Sequence, residues 1–132
     1  MMNTFTRIAS IAGLAAVLAA GTTGAQAPGI KRTLLQRIDI GNNMEVILGI
    51  AEIAPGGGTG RHTHFGVETG YTLAGTASLE IEGEAPKLLN AGDSYVIASG
   101  KVHDAKVVGD APAKVLAVYV VEKGKPLATA AP

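Results

Sequence analysis

A chain of 132 residues with 11 Lys+Arg against 11 Asp+Glu, no cysteine and 4% aromatic residues has room for one domain and a short extra segment. Its balanced, dispersed charge excludes the basic stripe of a nucleic-acid binder, and its few aromatic residues exclude a base-stacking platform. The absence of cysteine excludes disulfides, thiolate metal sites and dithiol redox motifs.

Arg7 is the only charged side chain before Lys31. An apolar run from Ile8 to Ala20 follows it, and then small residues through Ala27. A positive start, an apolar core and a small-residue end make a secretory signal peptide, expected over residues 1–25. The apolar core is shorter than the roughly 20 residues that span a bilayer. Cleavage is expected after Ala25, following Thr23 and Gly24; a cut after Ala27 is the alternative, although Pro28 comes next. With no cysteine for a lipid anchor and no Arg-Arg pair, the general export route is expected. The expected product is periplasmic or secreted, without a stable membrane anchor.

Residues 26–32 read as a leader. From there, short β-type runs alternate with turn residues, and no long stretch keeps a helical period. Thr33–Ile40 is the first expected strand, Gly41-Asn42-Asn43 its turn, and Met44–Ile53 the second strand, with Gly49 as a bulge. Ala54–Gly60 contains Pro55 and four glycines and must be a loop. Extended segments follow at Arg61–His64 and Glu68–Leu73. Thr76–Glu82 alternates cleanly, with Ala77, Leu79 and Ile81 on one face. Pro86–Leu89, Ser94–Ile97, Val102–Val108 and Ala113–Glu122 complete the set, and Lys123–Pro132 is expected to be a flexible tail. The pattern predicts an all-β sandwich or barrel over residues 33–122. Leu34, Leu35 and Val115–Val121 are apolar on both faces, so an outer cover is needed and a homodimer is expected.

Only three histidines occur in the chain. His62 and His64 are separated by one residue, so on a strand their imidazoles share a face. Glu68 follows four residues later, and a bend at Gly66 would return its carboxylate to the same point. His103 lies on a later strand that a barrel can bring alongside. Imidazole and carboxylate suit first-row divalent metals.

The spacing Gly56-x5-His62-x-His64-x3-Glu68-x6-Gly75 resembles the first motif of the cupin superfamily position for position. Gly92-x5-Ala98-x-Gly100-x2-His103-x3-Val107 resembles the second, except that the family often has Pro at the place of Ala98 and Asn at that of Val107. The resemblance implies a cupin jelly-roll β-barrel with a metal inside its mouth. It also implies that His62, His64, Glu68 and His103 are the ligands. Val107 then replaces a polar inward group with an apolar one.

Four protein ligands on an octahedral ion leave two positions for water, substrate or dioxygen. The resemblance therefore implies one divalent transition metal (Fe, Mn, Ni, Co, Cu or Zn) and a metal-dependent oxygenase of quercetinase-like type acting on a small organic substrate. Glu68 is the candidate catalytic base. A non-catalytic metal- or small-ligand-binding protein and a non-redox isomerase or lyase are the alternatives, because one fold hosts many functions. The other polar residues read as structural. Arg61 and Glu80, Glu82 and Glu84 are expected to be solvated, Tyr71, Tyr95 and Tyr119 to pack the barrel, and Asp104 to face away from the metal.

Overall fold

The computed structural model describes residues 29–132. The expected signal peptide and its cleavage points lie outside the described residues.

Strands are β1 (Ile30–Gly41), β2 (Met44–Ile53), β3 (His62–Thr63), β4 (Gly66–Ala74), β5 (Thr76–Ile81), β6 (Lys87–Asn90), β7 (Ser94–Ile97), β8 (His103–Val107), β9 (Ala113–Glu122) and β10 (Thr129–Ala130). They form two five-stranded antiparallel sheets, ordered β1-β2-β9-β4-β7 and β10-β3-β8-β5-β6. The all-β jelly roll expected from the sequence is therefore observed, and no helix occurs among the described residues.

The local chemistry explains the elements. Asn42 and Asn43 both have positive φ, 51° and 59°, and form the two-residue hairpin loop whose twist suits paired strands; asparagine tolerates this region better than most residues. In β9, residues alternate between buried and half-buried along the whole strand. Ile47, Ala117, Tyr119 and Val121 form one core cluster, against which Leu127 packs. Leu79, Leu89 and Ile97 form a second, with Ile81, Tyr95 and Ala105 around it. Each fully buried aliphatic side chain contributes about 1.5–3 kcal/mol, and the two clusters flank the interior of the barrel mouth.

Register also defines an outer face. Ile38 pairs with Val46, Val46 with Val120 and Val120 with Val67. The next row on that face holds Leu48, Val118 and Val96, and the next Ile50, Leu116 and Tyr71. Ile38, Val67, Tyr71 and Val96 are exposed. Gln36, Thr69, Thr33 and Ser94 share these rows, so the outer surface of the first sheet is largely apolar, with polar residues among the apolar ones.

Four expectations are corrected. The leader is shorter than residues 26–32, because β1 begins at Ile30 and pairs it with Ile53. The bulge near Gly49 belongs to β1: Leu34 pairs with Gly49 and Gln36 with Leu48, leaving Leu35 extra, while β2 runs regularly along β9. Tyr71 does not pack the barrel interior but stands on the exposed face. The flexible tail expected over Lys123–Pro132 instead carries β10, which pairs Thr129 with Thr63 and Ala130 with His62. Beyond β10, Ala131 donates its N–H to the Arg61 carbonyl at 3.0 Å.

Candidate metal centre

All four residues expected as ligands come together. His62 on β3 lies directly opposite His103 on β8, with ring centroids 4.2 Å apart. His64 follows β3 and is fixed by Gly100, which donates its N–H to the His64 carbonyl at 3.0 Å. Glu68 reaches in from β4 on the other sheet, between Tyr119 and Ile97. Gly66 makes the bend before it: a Cβ there would meet the Val120 carbonyl oxygen at 2.0 Å, so only glycine lets β4 approach β9 this closely. All four side chains are buried.

The backbone sets the proton on each ring. His62 Nδ1 lies 2.6 Å from the Gly60 carbonyl oxygen, and His103 Nδ1 lies 3.0 Å from that of Lys101. His64 Nδ1 contacts the Leu127 carbonyl oxygen. Carbonyl oxygens only accept, so in the neutral imidazoles Nδ1 carries the proton. Each Nε2 is then an unprotonated lone pair, the state a metal ligand requires. Glu68 is divided in the same way. Its Oε1 accepts from the Tyr95 hydroxyl at 2.7 Å, and its Oε2 faces His64 Nε2 at 2.7 Å and His103 Nε2 at 3.3 Å.

Those short contacts do not amount to hydrogen bonds while both rings carry their proton on Nδ1. His64 Nε2, His103 Nε2 and Glu68 Oε2 are accordingly buried without a partner. Without a cation the cluster gains one only by charging an imidazole. Burial opposes charge on His103, but its contact with Glu68 outweighs this and raises its pKa. Burial likewise pushes Glu68 up, yet hydrogen bonding from His103 and His64, with help from Tyr95, holds it well below the usual carboxylate range. His62 has no such contact, and burial holds it down to about 4, so it stays neutral. A divalent cation supplies the positive charge that Glu68 seeks and satisfies all three orphaned atoms.

Geometry supports the fit. One potential ligand atom from each of the four residues lies within 4.8 Å of the others. Opposed ligands on one ion, at about 2.1 Å each, stand roughly 4.2 Å apart, so the set needs to close by about half an ångström.

Tyr95 was expected to be packing only. It pairs with Gly70 on β4, where a Cβ would fall 2.5 Å from its ring. Gly70 therefore lets the ring lie across β4 and reach Glu68, two residues away. Burial, then the Glu68 charge, push the Tyr95 hydroxyl well above its ordinary pKa, so it acts as a donor. The Leu127 carbonyl was also missed, since it lies in the supposed tail. Asp104 does face away from the centre and accepts from Thr59 Oγ1 at 3.0 Å. Arg61 is exposed and pairs with Glu82 at 3.3 Å. Val107 pairs with Ala77 and stands on the inward face of β8 with His103 and Ala105, as expected, but at the end of the strand beside the Gly56–Gly58 loop, apart from the residues that line the central cavity.

Two opposed sheets holding three imidazoles and one carboxylate inside the mouth define a jelly-roll protein with a candidate centre for one metal ion. The cupin domain family matches residues 49–119, and the chain belongs to it. No curated protein sequence matches the chain. Among solved structures, the DMSP lyase DddQ from Ruegeria pomeroyi DSS-3 aligns at 24% identity and a TM-score of 0.60, over 64% of this chain and 42% of that one. The chain thus spans less than half of that protein's length. Oxalate oxidase in complex with the substrate analogue glycolate aligns at 23% identity and 0.63, over 83% of this chain and 58% of that one. KdgF from Halomonas sp. aligns at 22% and 0.56, over 70% and 81%. At these identities the likeness is one of fold.

Proposed function

We propose that the chain is an exported cupin that holds one divalent transition metal on His62, His64, Glu68 and His103 and uses it in an oxygenase reaction on a small organic substrate. The observation that carries this reading is that one ligand atom from each of His62, His64, Glu68 and His103 lies within 4.8 Å of the others, with Nδ1 of each ring against a backbone carbonyl. When bound, such a metal supplies Lewis acidity and, for iron, manganese or copper, redox chemistry.

The protein's own groups favour chemistry at the metal over acid–base chemistry elsewhere. Tyr95 and Tyr119 both hold their protons tightly, chiefly through burial. Glu68 is the remaining base, and next to the histidines it is a weak one. Turned away from them it keeps the burial that raises its pKa, and there it can take a substrate proton. The neighbouring lyase speaks for the alternative, a redox-neutral elimination, which needs the same proton transfer.

Size narrows the substrate. The central cavity encloses about 40 Å³ between Ala51, Ala77, Leu79, Ala105 and Ala117, space for roughly three water molecules at 10–15 Å³ each. A few-atom reacting group fits at the centre and a fused-ring flavonol does not. The largely apolar outer face of the first sheet supports a homodimer covering it; sedimentation as a monomer at micromolar concentration would refute that part. The N-terminal pattern supports export, and a secreted product whose mass still includes residues 1–25 would refute cleavage.

The metal assignment is tested by His62→Ala and His103→Ala. Each is expected to abolish stoichiometric metal while leaving a β-rich fold, and full occupancy in both variants would overturn the ligand set. The reaction is tested by oxygen uptake of iron-, manganese- and copper-loaded protein with short β-diketones, phenols and flavonols. Uptake with the small compounds supports the oxygenase reading. No uptake with any metal refutes it in favour of the lyase or a binding protein.

A further inference from the structure

Arg32 differs from the other arginines of the described chain. Arg37 pairs with Glu45 at 3.4 Å and Arg61 with Glu82 at 3.3 Å. Arg32 makes no ion pair and no side-chain hydrogen bond among the described residues, although it is half-buried. Residues 1–28 contain neither Asp nor Glu, so they cannot supply a carboxylate side chain to pair with it.

The sheet register directs Arg32 inward. It pairs with Ala51 and Ala51 with Val115, and both of these residues line the central cavity. Arg32 lines that cavity together with His62, Glu68 and His103. It also lines an adjoining cavity of about 190 Å³, whose walls include Leu34, Ile47 and Leu127 together with Arg37, the latter already paired with Glu45. Ala51 and Tyr119 are likewise common to both. Arg32 therefore stands where the small chamber at the histidines meets a larger one. A guanidinium offers five N–H donors in a planar fork that matches a carboxylate, and withdrawing that charge from water without a partner is costly.

We propose that Arg32 is the anchor for a carboxylate on the substrate, so that the site takes a short-chain organic acid. Its carboxylate meets the Arg32 fork, and its apolar chain lies against Leu34, Ile47 and Leu127. This deepens the metal-centre reading, because the anchored molecule lies beside His62 and Glu68. The competing use of the residue is structural: an inward-pointing charge on the edge strand β1 guards that edge against pairing with other chains.

The test uses n-butyrate and its neutral isostere butyramide as probes on the full-length protein, in chelator-treated and zinc-loaded forms, read by two-dimensional amide NMR and titration calorimetry. Butyrate is expected to shift the amides around Arg32, Ala51 and Leu127 in both forms, and butyramide to leave them in place. Arg32→Gln is expected to weaken butyrate binding about tenfold or more, Arg32→Lys to restore part of it, and Lys87→Gln, at an exposed cation that lines neither cavity, to change it little. Equal binding of butyrate and butyramide, butyrate affinity unchanged in Arg32→Gln, or no butyrate binding to the wild type would each overturn the proposal. Aggregation of Arg32→Gln without any wild-type butyrate binding would assign the residue to edge protection. Zinc content is measured in parallel. Butyrate binding in a chain that takes up no zinc would sink the metal reading and leave the anion site standing, and the reverse result would do the opposite.

Discussion

Replacing Tyr95 with phenylalanine removes one oxygen from the centre and leaves the ring's packing in place. That oxygen donates to Glu68 Oε1 at 2.7 Å, against a carboxylate that is only 6% exposed. A hydrogen bond to a charged group is worth about 1.5–3 kcal/mol. In Tyr95→Phe, Oε1 has neither protein donor nor ready access to water, and the carboxylate is freer to rotate. Loss of a partner that orients a metal ligand typically weakens affinity about 10–100-fold. That corresponds to roughly 1.4–2.8 kcal/mol, so the two routes agree. Zinc affinity, measured by competition with a chromophoric chelator, is therefore expected to fall by one to two orders of magnitude. The metal-free protein should lose stability in the same variant, by roughly 4–8 °C for each kcal/mol. Gly70→Ala supplies an independent check, because its methyl must displace the Tyr95 ring and should weaken zinc binding by a similar factor. Zinc affinity in folded Tyr95→Phe within about threefold of wild type, under 0.7 kcal/mol, would refute the positioning role and the division of labour between the two carboxylate oxygens.

Ending the chain after Lys123 removes β10 and the Leu127 carbonyl that holds His64 Nδ1. Zinc affinity should fall at least about tenfold, with the His64 imidazole losing its single tautomer in nitrogen-resolved NMR; a truncated chain binding zinc as tightly as the full one would refute the role of the C-terminal segment. Lowering pH should destabilise the metal-free fold through His62, whose pKa is about 4 when folded against an ordinary value of 6.5. Between those values the unfolded chain binds more protons, so this contribution is full above about pH 6.5 and lost as pH falls toward 4. Its size is on the order of 3 kcal/mol. The depressed pKa of Glu68 acts in the same direction at lower pH, and the raised one of His103 acts in the opposite direction, its contribution fading as pH rises. Urea unfolding at pH 7 and pH 4.5 reads the net effect, and His62→Ala should flatten the difference; an equal slope in that variant would reject the assignment.

The ligand set was legible in the sequence because it rests on short spacings. One residue between His62 and His64 fixes a shared face, and the glycines on either side fix where the strands must bend. Strand positions were legible wherever apolar residues alternate, as in Thr76–Ile81. What escaped depends on which strands become neighbours. Tyr95 looks like any core tyrosine until β7 is set against β4 with Gly70 beneath the ring. Arg32 reads as the end of a leader until β1 is extended back to Ile30 and its register points the side chain inward. The segment after Lys123 carries little hydrophobic pattern, so nothing local announced that it would pair with the two-residue strand holding His62.

The protons of the three imidazoles are held by Gly60, Lys101 and Leu127, and each contributes only a main-chain oxygen. The orientation of the three rings is therefore written in segment lengths more than in residue types. A different side chain at Lys101 or Leu127 keeps its acceptor as long as the backbone path is unchanged, whereas Gly60 is held at a φ of 73° that favours glycine. One residue inserted between Gly60 and His62, between Lys101 and His103, or between β9 and β10 would turn an acceptor away and free the wrong ring nitrogen. At Lys101 and Leu127, insertions and deletions rather than substitutions are the changes that would release a ring proton.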